Sequence, residues 1–332
     1  MLSLVYENTK FTVPGWVPFN DKEPRGIAYE TSTHFVHFYG KDFGLRVISA
    51  GLTVTEAKAK AKAASLEDWI QDAFGATDIL PSANEPGHTI EGVWRPGLYF
   101  EDELLQGLGV TSPELRLAEQ SLLLLLQRLD EVLLFIEPSA QSLETYSHKT
   151  RELLILACTE VESSWKHYLR RAGVQEPSNG FTTKHYVRLK EPLFLEEFEV
   201  ILPRYSSIPQ QQPFSGWSAT NPTTSLDWYN AYNKTKHDRT IHFASASLLN
   251  CLKATAANIV LFAVRFGPFR LFSGGGTLSA MFNQTFSIGL KQPNYQSFYA
   301  PLISLPVNQR VDRICFNSRE LTQPRTVCPF LI

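Results

Sequence analysis

Twelve consecutive residues, Trp228-Tyr-Asn-Ala-Tyr-Asn-Lys-Thr-Lys-His-Asp-Arg239, gather three aromatics, two asparagines, two lysines, a histidine and an arginine. An imidazole exchanges protons near neutral pH. Asparagine and lysine beside it can hold or neutralise a phosphate. This set could cut RNA without a metal: the RNA's own 2′-hydroxyl attacks the adjacent phosphate and the histidine moves a proton. On a helix turning about 100° per residue, Asn230, Asn233, Lys234 and His237 share one side, while Trp228, Tyr232, Lys236 and Arg239 share the other. Trp228 and Tyr232 are then the anchor and the first group is presented. The same histidine and asparagines could instead bond to neighbouring helices or to residues 174–222, so the local pattern leaves both uses open.

Long helices must carry this cluster. Thr111-Ser-Pro-Glu114 is a helix start, with a hydroxyl cap, proline in the first turn and then an acid. The helix is expected to reach about Ile136, and its apolar run from Leu122 to Leu133 implies burial on several sides. Glu137-Pro138 stops it and Ser142 opens the next. There Tyr146, Thr150, Leu153, Leu154, Ala157, Val161, Trp165 and Tyr168 recur at three- and four-residue spacing, and Gly173 ends it. The short connection favours an antiparallel hairpin. Arg151 and Glu162 lie along one edge of that stripe and could reach the cluster. Residues 174–222 read as a long insertion with strand content near Leu193 to Leu202, of the kind that is functional or mobile. Pro222 and Thr223 to Ser225 open the helix of the cluster. Ile241 to Phe266 reads as the last long helix, central and rich in alanine.

The flanks differ in character. Residues 1–52 read as strand and turn, with strands at Thr33 to Tyr39 and Leu45 to Ser49 around a turn from Gly40 to Gly44. Thr55 to Phe74 reads as a helix whose apolar face lies in its second half. Residues 75–109 are linker-like, and residues after 266 read as short strands and loops. The fold class expected is mainly α: a helical bundle core at 110–266 with an insertion at 174–222. An α+β N-terminal region, 1–109, precedes it and a strand/loop C-terminal extension, 267–332, follows.

The totals narrow the function. The 332 residues are 43% apolar and 19% charged, with a formal net charge of −2, so nothing global drives the chain to nucleic acid, although a local patch could. Cys158, Cys251, Cys315 and Cys328 form no C-x-x-C pair, which favours buried reduced thiols over zinc. His34 and His37 stand at odd strand spacing, hence on opposite faces. Gly274-Gly-Gly276 lacks the Lys-Ser/Thr of a phosphate loop, and Ser163, Ser164 and His167 lack a nucleophile elbow. No metal and no cofactor is expected. The start lacks the basic and apolar regions of a signal peptide, and no stretch of about 18 residues is both free of charge and strongly apolar. A cytoplasmic protein without a membrane partner is the expectation.

The order of parts resembles the HEPN superfamily, small all-helical bundles of toxin–antitoxin, CRISPR-associated and anti-phage systems. A long helix carries Glu160-Val-Glu162-Ser-Ser, a variable insertion follows, and an Asn-x-x-x-His step opens onto a final helix. The family's motif is an arginine, often with asparagine directly after it, four to six residues and then histidine, usually at a dimer interface. The resemblance covers roughly residues 112–266. It implies a metal-independent endoribonuclease of prokaryotic defence or stress, with His237 as general acid/base, Asn233 orienting the phosphate, and Lys234 or Lys236 supplying charge. Glu162 would be the acid of the preceding helix. Arg239, Asn230 and Arg151 would contact RNA, and a second copy or a protein partner would complete the assembly. The family's arginine position is Tyr232 here. The alternative is a non-catalytic helical module that dimerises or docks a protein.

Overall fold

The computed structural model of the chain describes residues 1–10, 25–40, 51–56, 65–98, 101–304, 313–315 and 322–332. It is an α+β protein that divides into two compact units: residues 1–109 with 293–328, and residues 110–292 with 329–332.

The first unit is organised on an antiparallel sheet. Its strands are β1 (Ser3–Glu7), β2 (Arg25–Glu30), β3 (His34–Gly40), β4 (Gly51–Glu56) and, after helix α1 (Leu66–Phe74), β5 (Thr77–Pro81). The spatial order is β5-β1-β2-β3-β4, and Arg313–Cys315 pairs with β4 at the far edge. Side chains alternate between faces. Val5, Ile27, Tyr29, Val36 and Phe38 pack with Phe298, Ala300 and Ile303. Leu4, Tyr6, Ala28 and Phe35 pack with Leu66, Trp69, Ile70 and Phe74 of α1. His37 joins the α1 side, its ring centroid 3.7 Å from that of Phe74, and burial holds its imidazole well below the ordinary value.

Thr55 and Glu56 belong to β4, paired with Phe35 and His34, not to a helix, because Leu52 and Val54 alternate with threonines in the two-residue period of a strand. The helix is confined to Leu66–Phe74, capped by Ser65 and closed by Gly75 in a left-handed conformation. Residues 57–64, the lysine- and alanine-rich part, lie outside the described residues, as do the expected strand at 45–49 and the turn from 41.

Residues 75–109 are not a linker. They hold β5, then β6 (His88–Ile90), paired in parallel with Thr326–Cys328, and α2 (Glu101–Leu108). Trp94, Arg95 and Leu98 are fully buried. The prolines and glycines that read as a linker are turns between short packed pieces. Arg95 donates through Nε to Ser297 Oγ at 2.8 Å, and Arg325 donates to the carbonyls of Ala300 and Gly97 at 2.8 and 3.1 Å. These bonds fasten residues 293–328 to the first hundred. Gly97 adopts φ +97°, and a Cβ there would run into the Tyr299 carbonyl. Gly97→Ala is therefore expected to lower the stability of this unit, read from urea unfolding, by more than the ~1–2 kcal/mol that a left-handed conformation alone costs an L-residue.

The second unit is mainly helical. Helix α3 (Ser112–Leu133) begins in a capping box between Thr111 and Glu114, with Pro113 in its first turn. It is not buried all round: Leu122, Leu125, Leu126 and Leu129 are buried, but Leu124 is 45% exposed. The leucine run simply exceeds the arc that neighbours cover. Helix α4 (His148–Arg171) begins at a second capping box, Ser147 with Thr150, so Ser142 opens only a short 3₁₀ turn and Tyr146 stays outside the helix and exposed. Thr150, Leu153, Leu154, Ala157, Val161, Trp165 and Tyr168 are all buried. The start of α3 faces the end of α4 across one cavity, and the end of α3 faces the start of α4 across another, so the pair is antiparallel.

Residues 174–222 are packed instead of forming a free loop. They contain α5 (Thr183–Tyr186) and β7 (Phe198–Ile201), with Leu189, Leu193, Leu195, Phe214 and Trp217 buried. Helix α6 (Asp227–His237) carries the polar cluster, and the chain beyond it is broken. A short α7 (Arg239–His242) and a 3₁₀ turn precede α8 (Leu248–Phe266). Ser247 caps α8 through Asn250 N–H, and the Asn250 side chain bonds back to the Ser245 carbonyl. This local capping interrupts the continuous helix that the alanine-rich composition implies. By length and apolar composition α8 could cross a bilayer, but 78% of its apolar window is buried among its neighbours, so it is a core helix. It lies against α3, α4 and α6.

Past α8 the chain forms α9 (Phe269–Phe272), α10 (Thr277–Thr285), capped by Gly276, and β8 (Ser287–Leu290), which pairs with β7. Residues 267–292 are thus part of the helical unit, while 293–328 complete the sheet unit.

The Glu114–Arg265 ion pair, 2.8 Å, joins α3 to α8. Burial raises the Glu114 carboxyl, but bonds from the Thr111 N–H and hydroxyl and from Arg265 outweigh it and hold the group below its ordinary 4.5. A carboxyl depressed in the folded state contributes stability above its unfolded value and loses it as pH falls through the folded one. The gap in urea midpoint between wild type and Glu114→Gln is therefore expected to be open at neutral pH and to close on acidification below 4.5.

Candidate functional site

Helix α6 is fixed by its aromatic side. Trp228, Tyr229, Ala231, Tyr232 and Thr235 are buried. Trp228 Nε1 donates to the Pro213 carbonyl at 2.8 Å, which ties α6 to the insertion. Behind it, Trp165 of α4 is fully buried, with ring centroids of Trp217, Tyr186 and Tyr229 at 4.9, 5.0 and 5.3 Å and those of Phe214 and Trp228 at 6.3 Å. The insertion therefore supplies three of these five rings around Trp165, and α6 supplies the other two.

The other side of α6 is polar and open. His237 and Lys234 are exposed, and Asn230 and Asn233 are half-buried. None of these four side chains has a hydrogen-bond or ion-pair partner among the described residues. Lys236 is also exposed, but its Nζ donates to Tyr232 Oη at 2.9 Å. That bond raises its ammonium pKa against the opposing effect of burial, and the field of Glu162 adds to it. Lys234, Lys236 and His237 occupy the last turn, where cations complement the helix dipole.

Two residues of α4 meet α6 as supports. Glu162 Oε1 accepts from Tyr229 Oη at 2.7 Å. Burial and then the Glu162 charge push the Tyr229 phenol far above its ordinary value, so it remains the donor. Arg151 donates through Nη2 to the Thr235 carbonyl at 3.3 Å, satisfying a carbonyl in the last turn of α6. Both residues hold the helix, and both are committed before any ligand arrives. Tyr229→Phe strips the Glu162 carboxylate of its donor, which is expected to cost about 1–3 kcal/mol in urea unfolding; Glu162→Gln keeps an acceptor there and is expected to cost less.

Arg239 is not on the cluster's helix. Asp238 interrupts α6 and caps α7 by accepting from Ile241 N–H, and Arg239 begins α7; its side chain lies outside the described residues. The 100° count ends with the helix at His237, so Arg239 has no assignable face on α6. Tyr232, at the position where the resemblance calls for arginine, is only 1% exposed and cannot meet a phosphate.

The supporting residues Tyr229, Tyr186 and Thr235 are absent from the candidate site residues named from the sequence. Tyr229 could have been found from its place beside Trp228 on the anchoring side. Cys158 is a spectator, because burial, then Cys251 and Glu162, push its thiol well up. Among the described residues no group of three or more histidine, cysteine or acidic side chains is arranged to hold a metal ion. No family model, no curated protein and no solved structure matches the chain.

Proposed function

We propose that the helical unit is a HEPN-like bundle that binds RNA along the open side of α6 and cleaves it without a metal ion, in a cytoplasmic defence or stress role. One observation carries the reading. His237 stands exposed and unpartnered on a helix whose other side is locked in aromatic packing, with Lys234 free beside it. The backbone that carries this base is anchored, and its imidazole is open to a large substrate. Lys234 supplies charge to the phosphate, Asn233 a carboxamide, and His237 the proton transfer from the 2′-hydroxyl or to the leaving oxygen. Lys236 adds to the local field but is shared with Tyr232. Asn230 and Arg239 extend the contact surface, and a second copy of the chain would complete the site. Glu162 and Arg151 act through α6 and do not touch RNA.

The second reading is a module that binds a protein or RNA partner without chemistry. It is favoured by the burial of Tyr232, which leaves the arginine's charge with no counterpart at that position. Incubating RNA with the purified chain and a chelator separates the two. New fragments that disappear with His237→Ala support cleavage, and identical RNA from both proteins ends that reading.

A further inference from the structure

We infer that the groove between α3, α4 and α8 binds a neutral heteroaromatic molecule of nucleoside size. Its volume is about 290 Å³, close to the lower end of the roughly 300–1,000 Å³ of ligand pockets. It is separate from α6: α4 turns Trp165 toward Trp228 of α6 and turns Glu160, Ser163, Ser164 and His167 into the groove.

The floor mixes apolar surface with defined polar groups. Phe262 and Phe266, one turn apart on α8, form an aromatic wall with their centroids 5.3 Å apart, and leucines of α3 lie opposite. Asn258 spends both hydrogens of Nδ2 on the carbonyls of Ala157 and Ala254, each at 2.9 Å. That fixes the amide, and its Oδ1 is left as an acceptor in a residue that lines the groove. Arg265 gives Nη2 to Glu114, while its buried Nε has no acceptor. A donor two helical turns from an acceptor, beside an aromatic wall, suits a flat ring system with polar atoms at both ends. The serine hydroxyls at the rim suit a hydroxylated substituent.

Charge selects against an anion. Among the described residues lining the groove, Arg265 is the one guanidinium or ammonium, and Glu114 neutralises it. Glu160 adds a second carboxylate. Arg171 approaches His167 Nε2 at 3.3 Å but does not itself line the groove. A phosphate would stand among two lining carboxylates with Arg265 already paired, whereas a nucleoside carries no charge for them to repel.

Calorimetric titration of the full chain with adenosine, cytidine, guanosine and uridine tests this, with adenosine 5′-monophosphate as the charged counterpart. Ser121 and Ser163 are exposed at the rim, so Ser121→Trp and Ser163→Trp should fill the groove and still fold, which an unchanged circular dichroism melt verifies. Saturable binding of at least one nucleoside is expected, with the monophosphate about ten-fold weaker or more and binding lost in both variants. The inference is overturned if wild type binds none of the four, if the folded tryptophan variants bind as well as wild type, or if the monophosphate binds as tightly as its nucleoside.

Discussion

His237→Ala is expected to reduce RNA cleavage by roughly 10²- to 10⁴-fold, the range that a single general acid or base contributes. The chain should remain folded, because the imidazole is exposed and has no partner to lose. Single-turnover cleavage in chelator, read beside the urea midpoint, checks both halves. Lys234→Ala should weaken RNA binding and steepen no other property, since Lys234 too is exposed and unpartnered. Arg151→Ala should behave differently. It removes the donor to the Thr235 carbonyl, so the last turn of α6 loosens and cleavage falls together with local protection against hydrogen exchange. A loss of activity in Arg151→Ala without any change in exchange would mean that Arg151 meets RNA directly.

Trp165→Ala should cost about 3–5 kcal/mol, the usual range for removing a buried tryptophan. Against a total stability of about 5–15 kcal/mol, that is a large fraction. The side chain is fully buried and touches aromatic rings from α6 and from the insertion. Those rings come from three separate stretches of chain, so the cavity cannot close by moving one of them. Urea unfolding followed by tryptophan fluorescence gives the number. Trp165→Phe should recover part of it and retain cleavage, because an aromatic ring still supports Tyr229.

Local signals in the chain were informative where local physics decides. Thr111 and Glu114 form the capping box that their spacing announces, and the stripe from Thr150 to Tyr168 is the buried face of α4. Trp228 and Tyr232 are buried while Lys234 and His237 are open, as the helical count implies. Where tertiary contact decides, the sequence misleads. Ser147 and Ser247 cap their helices in competition with nearby residues of equal propensity, so Ser142 and residues 243–247 read as α-helix when they are not. Residues 174–222 look loop-like because their apolar residues are spaced irregularly, yet those residues pack around Trp165. The burial of Arg95 and Arg325 carries no signal in the sequence, because carbonyls that accept from them lie 199 and 228 residues away.

The sheet unit is assembled from both sides of the helical unit in sequence. Phe298, Ala300 and Ile303 cover one face of its sheet, and Arg313–Cys315 pairs along one edge. During synthesis these pieces are made only after residues 110–292 have been translated. At about 5–20 residues per second those 183 residues take roughly 10–40 s. Throughout that interval strands β1 to β5 wait with Val5, Ile27, Val36 and Phe38 uncovered, and at its end the helical unit is complete apart from its last four residues. The nascent chain therefore matures out of order, its middle before its beginning.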